Sequence, residues 1–137
     1  MNKYLKIFML VIYVLFIDFI WIYLINKKNY TESIEKVQKN KPVFNFNYAI
    51  FTYFLVMISI IYLSVPFVKS KFTNKDSKKN KIIKSLLYGA FVGFIIYGVY
   101  NFTCLSIYKN YEFKVGLMDS LWGAFLYASS TTLYLLG

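Results

Sequence analysis

Four apolar runs, Leu5–Ile25, Phe46–Val68, Ile82–Ile107 and Leu117–Leu136, alternate along the chain with short polar connections. Each run is near the roughly 20 residues that an α-helix needs to cross a bilayer. The pattern predicts an all-α, polytopic integral membrane protein: one membrane domain, a four-transmembrane-helix bundle with helices at about 5–26, 46–68, 82–108 and 117–136. The connection over 27–45 is expected at the interface, and the lysine-rich connection over 69–81 in the cytoplasm. Lys3 and Lys6 ahead of the first run would suit a secretory leader. The run is too long for one, and no small-x-small cleavage pattern follows it.

The connections differ in kind. In "KKNYTESIEKVQKNKPVFN", Thr31 suits a helix cap before Glu32 and Glu35, and Ile34 and Val37 are spaced to face one way. A short interfacial helix is expected there, ended by the stretch from Asn40 to Pro42. "KSKFTNKDSKKNK" contains no aliphatic residue and reads as a flexible loop that sets topology and meets anionic headgroups.

Composition changes the picture in two places. The chain has 137 residues, 58% of them hydrophobic, with 14 Tyr and 14 Phe, which is not the composition of a soluble domain. Its net charge of +10 comes from lysines in the connections, so the partner they imply is the lipid bilayer and its anionic headgroups, not nucleic acid. Nine lysines (3, 6, 69, 71, 75, 78, 79, 81 and 84) flank the helices on one side and seven (27, 28, 36, 39, 41, 109 and 114) on the other. That bias orients both termini to the cytoplasm. Cys104 is alone and His is lacking, so no disulfide, metal site or cofactor is implied.

Inside the runs, the polar residues carry the information. Asp18 near a helix centre costs about 2.5 to 3.5 kcal/mol on the insertion scale, against a return of about 0.3 to 0.6 for each apolar residue. The first run has 15 Leu, Ile, Phe and Val residues and inserts despite its acid. The fourth run has only seven Leu or Phe to set against Asp119 and the stretch Ser129–Thr132, so it is marginal and must be held by neighbours.

Alternating direction then sorts these residues by depth. Asp18 late in helix one, Tyr97, Tyr100, Asn101 and Thr103 late in helix three, and Asp119 early in helix four fall toward one face of the membrane. Asn45, Asn47 and Tyr48, at the start of helix two, fall on the same side. Asp18 with Trp21, and Asp119 with Trp122, repeat an i,i+3 spacing. Each tryptophan can donate its indole N–H to the acid or sit at headgroup depth. Gly89, Gly93, Tyr97 and Asn101 recur every four residues; the small-residue stripe is expected to pack against Gly123 and Ala124 of helix four in preference to a second copy of itself.

Beyond these positions, "DFIW" (Asp18–Trp21), the Tyr30 loop, "YLSVPFV" with Pro66, "YGVYNFTCLSIYKNY" (Tyr97–Tyr111) and "DSLWG" (Asp119–Gly123) together resemble the domain of unknown function 2177 family, over nearly the whole chain. The resemblance implies a small four-span membrane protein and no reaction. It also implies an acid where this chain has Asn101 and an Asn where it has Cys104, so an activity that needs that acid would be altered here.

Two functional readings stay open. Intramembrane acids are functional candidates because their burial is expensive, so Asp18, Asp119, Asn101, Tyr97, Tyr100 and Thr103, flanked by Trp21 and Trp122, could form a conduit or carrier for protons, cations or a small polar solute. A continuous pore would need a homo-oligomer, since four helices enclose little space. In the alternative, the same cluster only fixes helix packing, at roughly 0.6 to 2 kcal/mol per contact. An enzyme with the acids as proton donor and acceptor is the least supported reading, because no nucleophile or metal motif accompanies them. Water or a cavity reaching the acids would separate the first two readings.

Overall fold

Asn2 opens the first helix by accepting the Tyr4 N–H at 2.8 Å. In the computed structural model, which describes all 137 residues, this helix, α1, is α-helical over Lys3–Phe19 and continues as π turns over Ile20–Ile25. The Asn26 N–H bonds to the Trp21 carbonyl five residues back, at 2.8 Å, which widens the last turn. The chain then bends into α2, Lys27–Gln38. Lys39, at φ 67°, closes α2 in the left-handed conformation.

The expected cap at Thr31 is not formed. α2 starts four residues earlier, directly after Asn26, whose side-chain oxygen is taken by Asn29 Nδ2 at 2.7 Å. Ser33 is the one buried residue of α2, with Tyr30 half-buried beside it.

The next helix, α3, opens on an Asn45 cap and is α-helical over Phe46–Ser59, π over Ile60–Ser64 and α again over Val65–Lys69. Pro66 explains the interruption. It lacks an N–H for the carbonyl four residues back, Tyr62, and the helix absorbs the loss by widening ahead of it. The long helix α4 runs over Lys78–Ile107 from a Ser77 cap, and α5 over Phe113–Leu136, four residues longer at its start than its apolar run.

The lysine-rich connection is not a free loop. Asp76 accepts from the Thr73 N–H at 2.7 Å and from Lys84 Nζ at 2.8 Å, and Lys84 also donates to the Lys71 carbonyl at 2.9 Å. The Lys84 ammonium holds the Asp76 carboxyl below its ordinary value.

All structure is helical, and three helices are long and apolar enough to cross a membrane: Lys3–Ile25, Phe46–Lys69 and Lys78–Ile107. Their outer faces carry large apolar side chains such as Leu24, Leu87 and Val99, each about two-thirds exposed (65–70%). Lipid is the solvent that suits such faces.

α4 and α5 make the closest contact of the fold. A Cβ placed on Gly93 would lie 2.1 Å from the Gly123 carbonyl oxygen, and one on Gly89 would lie 2.9 Å from the Ala128 Cα. Glycine is what lets these backbones touch. Leu126 and Tyr127 of α5 pack with Leu10 and Val14 of α1 and with Ile60 and Val65 of α3 to form the core. Ser64 and Thr131 bond within it at 2.6 Å. The first half of α3 is different, since no residue of Phe46–Ser59 is buried.

Candidate functional site

At the α2 end of the bundle, two carboxylates are held by neutral donors from α2, α3, α4 and α5. Asp18 of α1 is 6% exposed. Its Oδ1 accepts the Trp122 indole N–H at 2.9 Å, and its Oδ2 accepts the Tyr53 hydroxyl of α3 in a short hydrogen bond. Asp119 of α5 accepts the Tyr30 hydroxyl of α2 on Oδ1 at 2.5 Å and Asn101 Nδ2 of α4 on Oδ2 at 2.6 Å.

The tryptophans join the two halves. Trp21 and Trp122 stack with centroids 4.6 Å apart and planes 4° from parallel. Trp21 Nε1 donates to the Tyr30 hydroxyl oxygen at 2.8 Å. Neither tryptophan therefore serves the acid three residues before it on its own helix. Trp122 crosses to Asp18, while Trp21 reaches Asp119 only through Tyr30.

Asn101 is fully buried and saturated: Nδ2 also donates to the Tyr97 carbonyl at 2.8 Å, and Oδ1 accepts the Tyr111 hydroxyl at 2.6 Å. An amide at this position gives Asp119 a donor, which a carboxylate could do only when protonated. Burial pushes the Tyr111 phenol up, and burial followed by the Asp119 charge pushes the Tyr30 phenol up. Both stay protonated and able to donate.

The other sequence-predicted residues fall less uniformly. Tyr97 lines the same cavity as both acids, with its ring against Gly123 and Tyr127. Tyr100 is 63% exposed and stands at the edge of the cluster. Thr103 faces outward, as do Asn45, Asn47 and Tyr48, so none of these four joins the acids. α3 contributes Tyr53 instead. Tyr53, Ser33 and the donor roles of Tyr30 and Tyr111 were not foreseen. A hydroxyl inside an aromatic run such as "FNYAIFTYFLVM" carries no periodic signal of its own.

A cavity of about 430 Å³ reaches this cluster, lined among others by Asp18, Asp119, Ser33, Tyr53, Tyr97 and Trp122. A second cavity, of about 510 Å³, adjoins it and shares Thr52, Val56, Tyr97, Tyr100 and Asp119. Thr52 and Tyr100 at its edge are exposed, so the space opens sideways between α3 and α4. Ser33 is 2% exposed and its Oγ has no protein partner.

No curated protein and no solved structure matches the chain. A family model matches residues 4–136, and the chain belongs to that family, described as predicted membrane protein (DUF2177).

Proposed function

We propose that the chain crosses the membrane four times with both termini on the cytoplasmic side, and that Asp18 and Asp119 form a one-sided binding site of a carrier for protons, cations or a small polar solute. The fourth crossing is α5: its 24 residues reach about 36 Å at 1.5 Å per residue. It lies against α4 through Gly89, Gly93 and Gly123 and turns Ser120, Ser130 and Thr131 inward. Neighbours thereby replace the lipid affinity that its composition lacks.

The observation that carries the reading is the cavity of about 430 Å³ that reaches both carboxylates. No lysine lines it, and neither acid takes part in an ion pair. An acid pair held only by neutral donors and without a cationic partner is left to attract a positive guest. Toward the opposite face, Val14, one turn before Asp18, is packed in the core with Leu10. The site therefore opens to one side of a single chain, which favours a carrier over a standing pore.

The structural reading also has an observation in its favour. All four carboxylate oxygens already receive a protein donor, as a packing cluster requires. Flux separates the two. Purified protein in liposomes is expected to pass protons or monovalent cations, and the Asp18→Asn plus Asp119→Asn double variant to lose that flux while keeping its helical content. Equal behaviour of the two proteins would leave only the packing role.

A further inference from the structure

Resting on that reading of the cluster as a cation site, we infer that the guest is a protonated primary amine, held by the two carboxylates and Ser33 against aromatic faces. Size argues first. About 430 Å³ is far more than a bare ion or one water fills and lies in the range of small-molecule sites.

The donor and acceptor inventory argues next. Each oxygen of Asp18 and Asp119 receives one hydrogen bond from the protein, and a carboxylate oxygen can accept about two. Acceptor capacity is left on both acids, and the Ser33 Oγ is a further buried acceptor without a partner. A buried hydroxyl left unpaired is destabilising, so its place on the cavity wall beneath α2 points to a group that bonds to it. A primary ammonium has three N–H donors for three such acceptors.

Much of the remaining lining is aromatic, with Tyr53, Tyr97, Tyr100, Tyr111 and Trp122 on the wall beside aliphatic residues such as Ile22 and Val115. Aromatic faces attract organic ammonium groups, and the apolar part of the wall suits the hydrocarbon part of such a guest better than the water shell of a metal ion. The sideways mouth at Thr52 and Tyr100 admits either a soluble amine or the aminoethyl headgroup of a lipid.

The test is a titration of intrinsic tryptophan fluorescence, since Trp122 bonds directly to Asp18. Full-length protein in phosphatidylcholine nanodiscs is titrated at neutral pH with ethylammonium, tetramethylammonium and sodium chlorides. Ethylammonium is expected to give a saturable change at concentrations at least tenfold below the other two. The change should vanish in the Asp18→Asn plus Asp119→Asn variant. Ser33→Ala should weaken ethylammonium at least fivefold with an unchanged or higher unfolding temperature, a combination that a merely structural serine would not produce. Repeating the titration in nanodiscs containing phosphatidylethanolamine assigns the source: competition supports the lipid headgroup, and unchanged binding supports a soluble amine.

Ethylammonium no tighter than sodium overturns the inference, as does full-strength binding by Ser33→Ala. If sodium or protons alone give the Asp-dependent change, the amine assignment falls and the cation site stands. No response to any cation removes both.

Discussion

Trp122 of α5 lends its indole N–H to Asp18 of α1, and the two lie 104 residues apart in the chain. The ring that makes this bond also stacks on Trp21, so one side chain ties the acid of α1 to the helix that carries the other acid. Trp122→Phe keeps an aromatic face for Trp21 and removes only the donor. Loss of a hydrogen bond to a charged group costs about 1.5 to 3 kcal/mol. Trp21→Phe removes a bond to the neutral Tyr30 oxygen and is expected to cost about 0.5 to 1.5 kcal/mol. Unfolding of the two variants in mild detergent should show Trp122→Phe as the less stable; the reverse order would contradict the assigned partners.

Two glycines of α4 make a paired prediction. At Gly93 a methyl group would stand 2.1 Å from the Gly123 carbonyl oxygen, a backbone atom that cannot step aside. Gly93→Ala must therefore separate α4 from α5, at a cost of about 3 kcal/mol or more given that milder overpacking costs 1 to 3. At Gly98 the nearest atom to such a methyl is a Phe94 ring carbon at 3.9 Å. Gly98→Ala is expected to fold as well as the parent or slightly better, since alanine favours helix by up to about 1 kcal/mol. Recovery of monodisperse protein on size exclusion checks both.

These pairs show where the sequence is informative. The levels of Asp18, Asn101 and Asp119 follow from chain order, because each crossing reverses direction, and that much needs no side-chain detail. The Gly89 and Gly93 stripe is likewise visible, since only a close partner explains small residues every fourth position. Partner choice was not legible. It turns on which neighbour each indole N–H reaches across the bundle, and on Tyr53, one hydroxyl among many aromatic residues. Thr103 shows the same limit from the other side: depth put it level with Asn101, but helical phase turned it outward.

Asn101 serves as donor and acceptor at once beside Asp119. Its Nδ2 donates to Asp119 at 2.6 Å and its Oδ1 accepts from Tyr111. Asn101→Asp keeps the acceptor, removes the donor and adds an acid beside Asp119. The variant is expected to lose at least about 2 kcal/mol at neutral pH, the cost of a lost charge-assisted bond together with a like charge nearby. A companion variant, Asn101→Asp with Asp119→Asn, exchanges donor and acceptor and should recover most of that loss. Thermal unfolding of the three proteins decides the point, and no recovery in the double variant would mean that the contact is not what holds the pair.

α2 is clasped over the cavity by an ion pair that titrates. Lys36 Nζ lies 2.5 Å from Glu112 Oε1, and the Lys36 ammonium holds the Glu112 carboxyl below its ordinary 4.5. A carboxylate whose value is lowered by folding contributes stability that is fully present above its ordinary value and is lost as pH falls through the lowered one. The pair is exposed, so its contribution is small and salt-sensitive. Its effect should be local, loosening α2 and leaving the bundle intact. Hydrogen exchange of the α2 amides, corrected for intrinsic rates, is expected to speed up as pH drops from 5 toward 3, while α4 and α5 keep their protection. Glu112→Gln should show the faster α2 exchange already at pH 5 and little further change below it. An acid step of the same size in that variant would assign the loosening to a different group.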